Sequence, residues 1–177
     1  MFWLPHHPRP SRYSANSHLR LFQRLAECRV RMKVVFLGTA SCFPTPTRGV
    51  SCTALQLDSG ELWLFDCGEG SQVQLQRSSL KAGKVTKVFI THLHGDHLFG
   101  LPGLLCTLGN GLDPARAAAT TVEVIGPLGL RKFLAVTLGL ARSPLPFQLA
   151  VVELEPRADQ YPAGWADWRI GEELEGG

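Results

Sequence analysis

From Met32 onward the chain alternates short apolar runs with polar breaks, and each run has a readable period. Lys33-Val34-Val35-Phe36-Leu37-Gly38 reads as a first strand. Residues 39–49 read as a loop broken by Pro44, Pro46 and Gly49. Ser51 to Leu57 alternates weakly and predicts a second strand, and Glu61 to Phe65 a third. Asp58-Ser59-Gly60 between them is a turn signal, so the two form a hairpin. Asp66-Cys67-Gly68-Glu69-Gly70 is a tight loop. Ser71 to Leu80 predicts a helix with Val73 and Leu80 on one side. Lys87 to Thr91 predicts a short buried strand that runs straight into His92. Leu98 to Leu108 predicts an apolar helix interrupted early by Pro102 and Gly103, and residues 110–120 a loop. Thr121 to Ile125 predicts a strand, Gly126-Pro127 the opening of a helix that reaches Leu140, and Phe147 to Leu154 a last strand. Strands alternating with helices indicate an α/β fold.

The two ends lack this pattern. In residues 1–31, Pro5, Pro8 and Pro10 break the start. A short amphipathic helix over His18 to Val30 follows, with Leu19, Phe22, Leu25 and Ala26 on one face. From Pro156 no period is visible. The expected organisation is a disordered basic leader over 1–31, an α/β unit over 32–155 and an irregular tail over 156–177.

Charge sharpens that division. The 177 residues carry a net +3, but residues 1–31 hold six Arg and one Glu, a net +5, and the rest is −2. Such a small total does not by itself argue for nucleic acid. An Arg-rich, acid-poor leader also suits mitochondrial targeting. The expected compartment is the cytoplasm or nucleus, with mitochondria the alternative the leader raises. No run of 18 uncharged apolar residues exists, which excludes a transmembrane helix. Five Cys without a CxxC pair argue against a disulfide framework and for a reducing compartment.

One segment carries chemistry. His92-Leu93-His94-Gly95-Asp96-His97 places three imidazoles and a carboxylate within six residues. His92 and His94 are two apart, so in extended backbone they point to one side and can reach one metal ion. Asp96 and His97 lie where the chain turns into the next helix and can face a second ion. Gly95 permits the close turn between the pairs. Asp96 also has a plain structural reading, as the cap of a helix starting near Leu98. Imidazole and carboxylate at this density favour a metal centre, zinc above all.

The segment resembles the signature of the metallo-β-lactamase superfamily. Val34–Thr39, Pro44–Gly49, Leu64–Gly70, Phe89–His97 and Gly100–Leu105 narrow the resemblance to short-form, ElaC-type tRNase Z, from about Met32 to about Gln160. The resemblance implies an αββα sandwich of two similar halves, of which this chain covers one. It implies a zinc phosphodiesterase that removes the 3′ trailer from precursor tRNA by two-metal hydrolysis and works as a homodimer away from membranes. Two Zn2+ ions would be held, one by His92 and His94, the other by Asp96 and His97, with Asp96 also the proton acceptor. Asp66 would brace the metal loop, a role that competes with a simple turn-forming one. The Pro44–Gly49 loop would flank the RNA cleft, which makes Thr47 and Arg48 substrate-binding candidates.

Two ligands per ion fall short of the three that a catalytic zinc takes from protein. The resemblance places a further His, a bridging Asp and a last His later in the chain, yet no His follows His97. The expectation is a truncated product, inactive alone, whose sheet leaves an apolar face or edge uncovered. The alternatives are a non-catalytic half-domain that binds a full-length subunit, or another hydrolase of the superfamily.

Overall fold

The computed structural model describes residues 32–109, 113–157 and 160; the leader helix and the tail beyond 160 lie outside the described residues. Six strands form one sheet, neighbours in the order in which the chain makes them. β1 (Lys33–Gly38) pairs antiparallel with β2 (Cys52–Gln56), and β2 pairs antiparallel with β3 (Leu62–Phe65). The β2–β3 hairpin closes through the expected turn. Gly60 there has φ +79°, a conformation glycine adopts without strain, and the Gly60 N–H donates to the Leu57 carbonyl at 2.8 Å. From β3 onward the pairing is parallel, through β4 (Val85–Phe89), β5 (Thr121–Pro127) and β6 (Gln148–Leu154).

Helices occupy the crossovers that parallel strands require. α1 (Ser71–Arg77) and a 3-10 turn (Ala82–Lys84) join β3 to β4. α2 (Gly95–Leu98), α3 (Leu101–Leu108) and α4 (Pro114–Ala118) join β4 to β5, and α5 (Leu130–Leu140) joins β5 to β6. The core lies on one face of the sheet. Leu62, Leu64, Val88, Val122 and Val124 are fully buried there against Leu75 of α1, Leu101, Leu104 and Leu105 of α3, and Leu130 of α5. The strand registers line up Phe36, Thr53, Phe65, Phe89, Ile125 and Val152 across the opposite face. That row is largely apolar and open, with Phe36 at 70% exposure, and the Lys87–Glu123 ion pair lies beside it on the same face.

Several boundaries differ from the sequence reading. β4 starts at Val85 and stops at Phe89, because the Thr91 N–H leaves the ladder and donates to the Asp66 carboxylate at 2.9 Å. α1 stops at Arg77, where the Ser78 hydroxyl donates to the Leu75 carbonyl and accepts from the Leu80 N–H. The predicted 98–108 helix begins only at Leu101, as α3, and Leu98 ends the preceding α2. Residues 110–120 are not all loop: Asp113 caps α4, accepting from the Ala115 and Arg116 N–H groups, with Pro114 in the first turn. Gly126-Pro127 extends β5 rather than opening a helix. α5 begins only after Gly129, whose φ is +97°. No helix among the described residues is long and apolar enough to cross a membrane.

Candidate active site

β1, β3 and β4 run in the same direction, so the loops that leave them meet at one edge of the sheet. Open α/β sheets place ligands at such carboxyl ends. Backbone bonds lock the loops together. The Cys67 N–H donates to the His97 carbonyl at 2.8 Å, Gly100 N–H to Cys67 at 2.9 Å, and Gly68 N–H to Ser51 at 3.0 Å. The fit tolerates no side chain at two points. A Cβ on Gly68 would sit 2.1 Å from the Asp96 carbonyl oxygen, and one on Gly100 would sit 1.9 Å from that of Gly68.

Asp66 is the centre of the arrangement. It lies just beyond β3 with φ +59°, and only 5% of its surface is exposed. Its carboxylate meets four donors: the Ser51 hydroxyl at 3.2 Å, the Thr91 N–H at 2.9 Å, the Thr91 hydroxyl at 2.8 Å and His97 Nδ1 at 2.7 Å. Two carboxylate oxygens offer about four acceptor sites, so the group is fully satisfied. His97 therefore carries a proton on Nδ1, and its Nε2 lies 3.5 Å from Asp96 Oδ2. Both sequence readings of Asp66 meet in one residue: it turns the chain and it orients an imidazole.

Asp96 lies in the first turn of α2 but does not cap it. The N-cap position belongs to His94, which makes no side-chain cap bond. The Asp96 carboxylate reaches back to the β1–β2 loop, where the Cys42 N–H donates to Oδ2 at 2.8 Å. That bond first, then the backbone N–H of Asp96 itself, hold the Asp96 carboxyl below the ordinary carboxylate range. Cys42 reaches this position with φ +67°, a left-handed turn that no sequence pattern announced.

His92 and His94 come together as their spacing predicts. His92 Nε2 lies 3.2 Å from His94 Nδ1, and the His92 ring centre lies 4.1 Å from that of His97. That separation is close to what two nitrogens bound to one tetrahedral zinc ion would have. Among the described residues no three His, Cys, Asp or Glu side chains converge in a metal-holding geometry. The donor set still fits zinc in kind. It comprises three imidazoles and a carboxylate, with one imidazole oriented through its far nitrogen by a buried acid.

A cleft of about 360 Å³ opens beside the cluster, lined among others by Cys42, Phe43, Glu69, His94, Asp96 and Phe99. Phe43, Glu69 and Phe99 have no sequence signal of their own; the fold brings them to the cleft. Thr47 and Arg48 line a different recess of about 220 Å³ with Phe36, Thr39 and Gln74. The Arg48 guanidinium donates to the Thr39 hydroxyl at 2.7 Å. The two candidates drawn from the Pro44–Gly49 loop thus stand apart from the histidine cluster.

With this geometry in view, the likenesses to known proteins are informative. A family model described as Anti-Pycsar protein Apyc1 matches residues 32–109. Zinc phosphodiesterase ELAC protein 1 of Homo sapiens is 54% identical over 132 residues, which are 75% of this chain and 36% of the relative. Ribonuclease Z of Prochlorococcus marinus (strain MIT 9312) is 48% identical over 130 residues, 73% of this chain and 40% of the relative. The chain thus spans well under half the length of these curated relatives. Among solved structures, the human tRNase Z, short form (ELAC1), superposes with a TM-score of 0.67 at 53% identity. The match covers 75% of this chain and 49% of that one. The metallo-beta-lactamase fold protein YhfI from Bacillus subtilis matches with a TM-score of 0.53 at 21% identity, over 75% of this chain and 50% of its own. The latter likeness establishes the fold alone.

Proposed function

We propose that this chain, a close homologue of part of zinc phosphodiesterase ELAC protein 1 and ribonuclease Z, is the metal-holding portion of a tRNA 3′-processing nuclease. The observation that carries the reading is the meeting of His92, His94, Asp96 and His97 around buried Asp66, at the carboxyl edge of a metallo-β-lactamase-type sheet. His92 and His94 would hold one zinc ion, Asp96 and His97 a second. Zinc supplies Lewis acidity toward a phosphodiester oxygen and makes water acidic enough to attack at neutral pH.

The chain's own residues do the remaining work. Asp66 orients His97 through Nδ1, so Nε2 faces Asp96. Asp96 is held ionised by the Cys42 N–H and can accept the proton of the attacking water at a carboxylate oxygen. Phe43 and Phe99 are exposed and line the same cleft. Their rings suit the unstacked bases of a single-stranded 3′ trailer. A homodimer, away from membranes, is the expected assembly. The Arg-rich leader keeps a mitochondrial location alongside the cytoplasmic or nuclear one.

Two protein ligands per ion are fewer than a catalytic zinc takes. The expected result is therefore a chain that binds zinc but does not release the trailer when assayed alone. Zinc content by mass spectrometry and cleavage of a 3′-extended tRNA on a denaturing gel test both halves. Zinc content that His94→Ala leaves unchanged overturns the metal assignment. Trailer release that His94→Ala abolishes confirms the substrate and overturns the incompleteness of the site.

A further inference from the structure

The cluster contains a hydroxyl that no ligand requires for its own sake. Thr91 precedes His92, and its Oγ1 lies 2.8 Å and 3.1 Å from the two oxygens of Asp66 and 3.0 Å from His92 Nδ1. A hydroxyl has one proton, and an ionised carboxylate can only accept. The Thr91 O–H therefore donates to Asp66. The remaining lone pairs of Oγ1 accept, and the neighbour that can supply a proton is His92 Nδ1. His92 thereby donates from Nδ1, which leaves Nε2 as the nitrogen that can turn to a cation. His94 Nδ1 lies 3.2 Å from that nitrogen, on the same side of the cluster. One buried carboxylate thus reaches two imidazoles, His97 by direct contact and His92 through a hydroxyl.

We propose that Thr91 is a positioning residue: its hydroxyl relays the Asp66 carboxylate to His92 and fixes His92 as the Nδ1–H tautomer, with Nε2 available to a divalent cation. Which imidazole nitrogen carries the proton is set by the hydrogen bond the other nitrogen makes. Without the Thr91 hydroxyl, His92 Nδ1 loses its acceptor and the tautomer passes to whatever Nε2 meets. The Thr91 backbone N–H makes its own bond to Asp66, so the end of β4 stays anchored when only the side chain changes. The consequence for metal affinity rests on the function proposed above; the tautomer does not.

The experiment uses three full-length chains, wild type, Thr91→Val and Thr91→Ser, each stripped of metal and labelled with 15N. Long-range 1H–15N NMR reads the protonated nitrogen of each imidazole. His92 is expected as Nδ1–H in the wild type and in Thr91→Ser, and to lose that state in Thr91→Val. His97 keeps Nδ1–H in all three, which also reports that the site is folded. Zinc alone, titrated against a chromophoric chelator, is expected to bind Thr91→Val roughly 10–100-fold more weakly, with Thr91→Ser near wild type. An unchanged His92 in Thr91→Val, or Thr91→Ser behaving as Thr91→Val does, overturns the relay. The expected tautomer changes in a chain that binds no zinc support the relay and overturn the metal reading.

Discussion

At the residue scale the site depends on one acid. Asp66 accepts four hydrogen bonds in a nearly dry position, and each donor it serves would cost about 1–3 kcal/mol if left buried and unpaired. Asn at this position keeps the shape but brings an NH2 group to face donors. Asp66→Asn is expected to lower stability by about 1–3 kcal/mol, read as a lower urea midpoint at constant slope. An unchanged midpoint would show that Asp66 is not the hub. The His-x-His-x-Asp-His run was legible because ligand residues at that density have few other uses. Cys42 and Thr91 were not legible. Their parts are played by a backbone N–H and a hydroxyl, which become specific only when loops far apart in sequence are brought within 3 Å of their partners.

At the element scale, helix starts show how local and distant signals differ. α4 is capped by Asp113 from the adjacent residue, a signal present in the sequence as Asp-Pro. α5 has no such neighbour. Gly129 and Arg131 donate their N–H groups to Glu153, which comes from β6, at 2.9 and 3.0 Å. The Arg131 N–H first, then Gly129 N–H and the Arg131 charge, hold the Glu153 carboxyl below its ordinary value. A carboxylate with a lowered native pKa adds stability above its unfolded pKa and loses it as pH falls through the native one. The stability gap between wild type and Glu153→Gln should therefore hold constant above about pH 5 and close on further acidification, followed by denaturant melts across pH. A gap that is flat down to pH 2 would exclude this cap.

At the scale of the whole molecule, the main feature is the open sheet face. Parallel strands are normally buried on both faces. β4, β5 and β6 are parallel, yet helices cover them on one side only among the described residues. Phe65 stacks on Phe89 with ring centres 5.0 Å apart, and Phe36 and Val152 stand exposed at the two ends of the same row. An exposed apolar row across six strands is a surface that expects a cover. The solved neighbours it superposes on are about one and a half times as long. The chain should bind the dye 1-anilinonaphthalene-8-sulfonate while folded, and the double variant Phe36→Ser, Val152→Thr should bind less of it with unchanged far-UV circular dichroism. Equal fluorescence from both would show that the face is covered.

The sequence by itself determined the strands, the β2–β3 hairpin, the α/β class and the histidine cluster. Each of these is written in local terms: a period of two, a turn dipeptide, an apolar run of strand length, ligands two residues apart. It also placed the His92–His97 segment just after β4. Only the tertiary structure decided how far the strand and helix ends reached and which groups orient the histidines. It also decided that Thr47 and Arg48 face another recess and that Phe43 and Phe99 line the cleft. Those outcomes depend on hydrogen bonds and close backbone approaches between segments some 25 to 54 residues apart, such as Asp66 to Thr91 and Cys42 to Asp96. No local pattern encodes such contacts, because their energy exists only once the sheet has brought its loops to one edge.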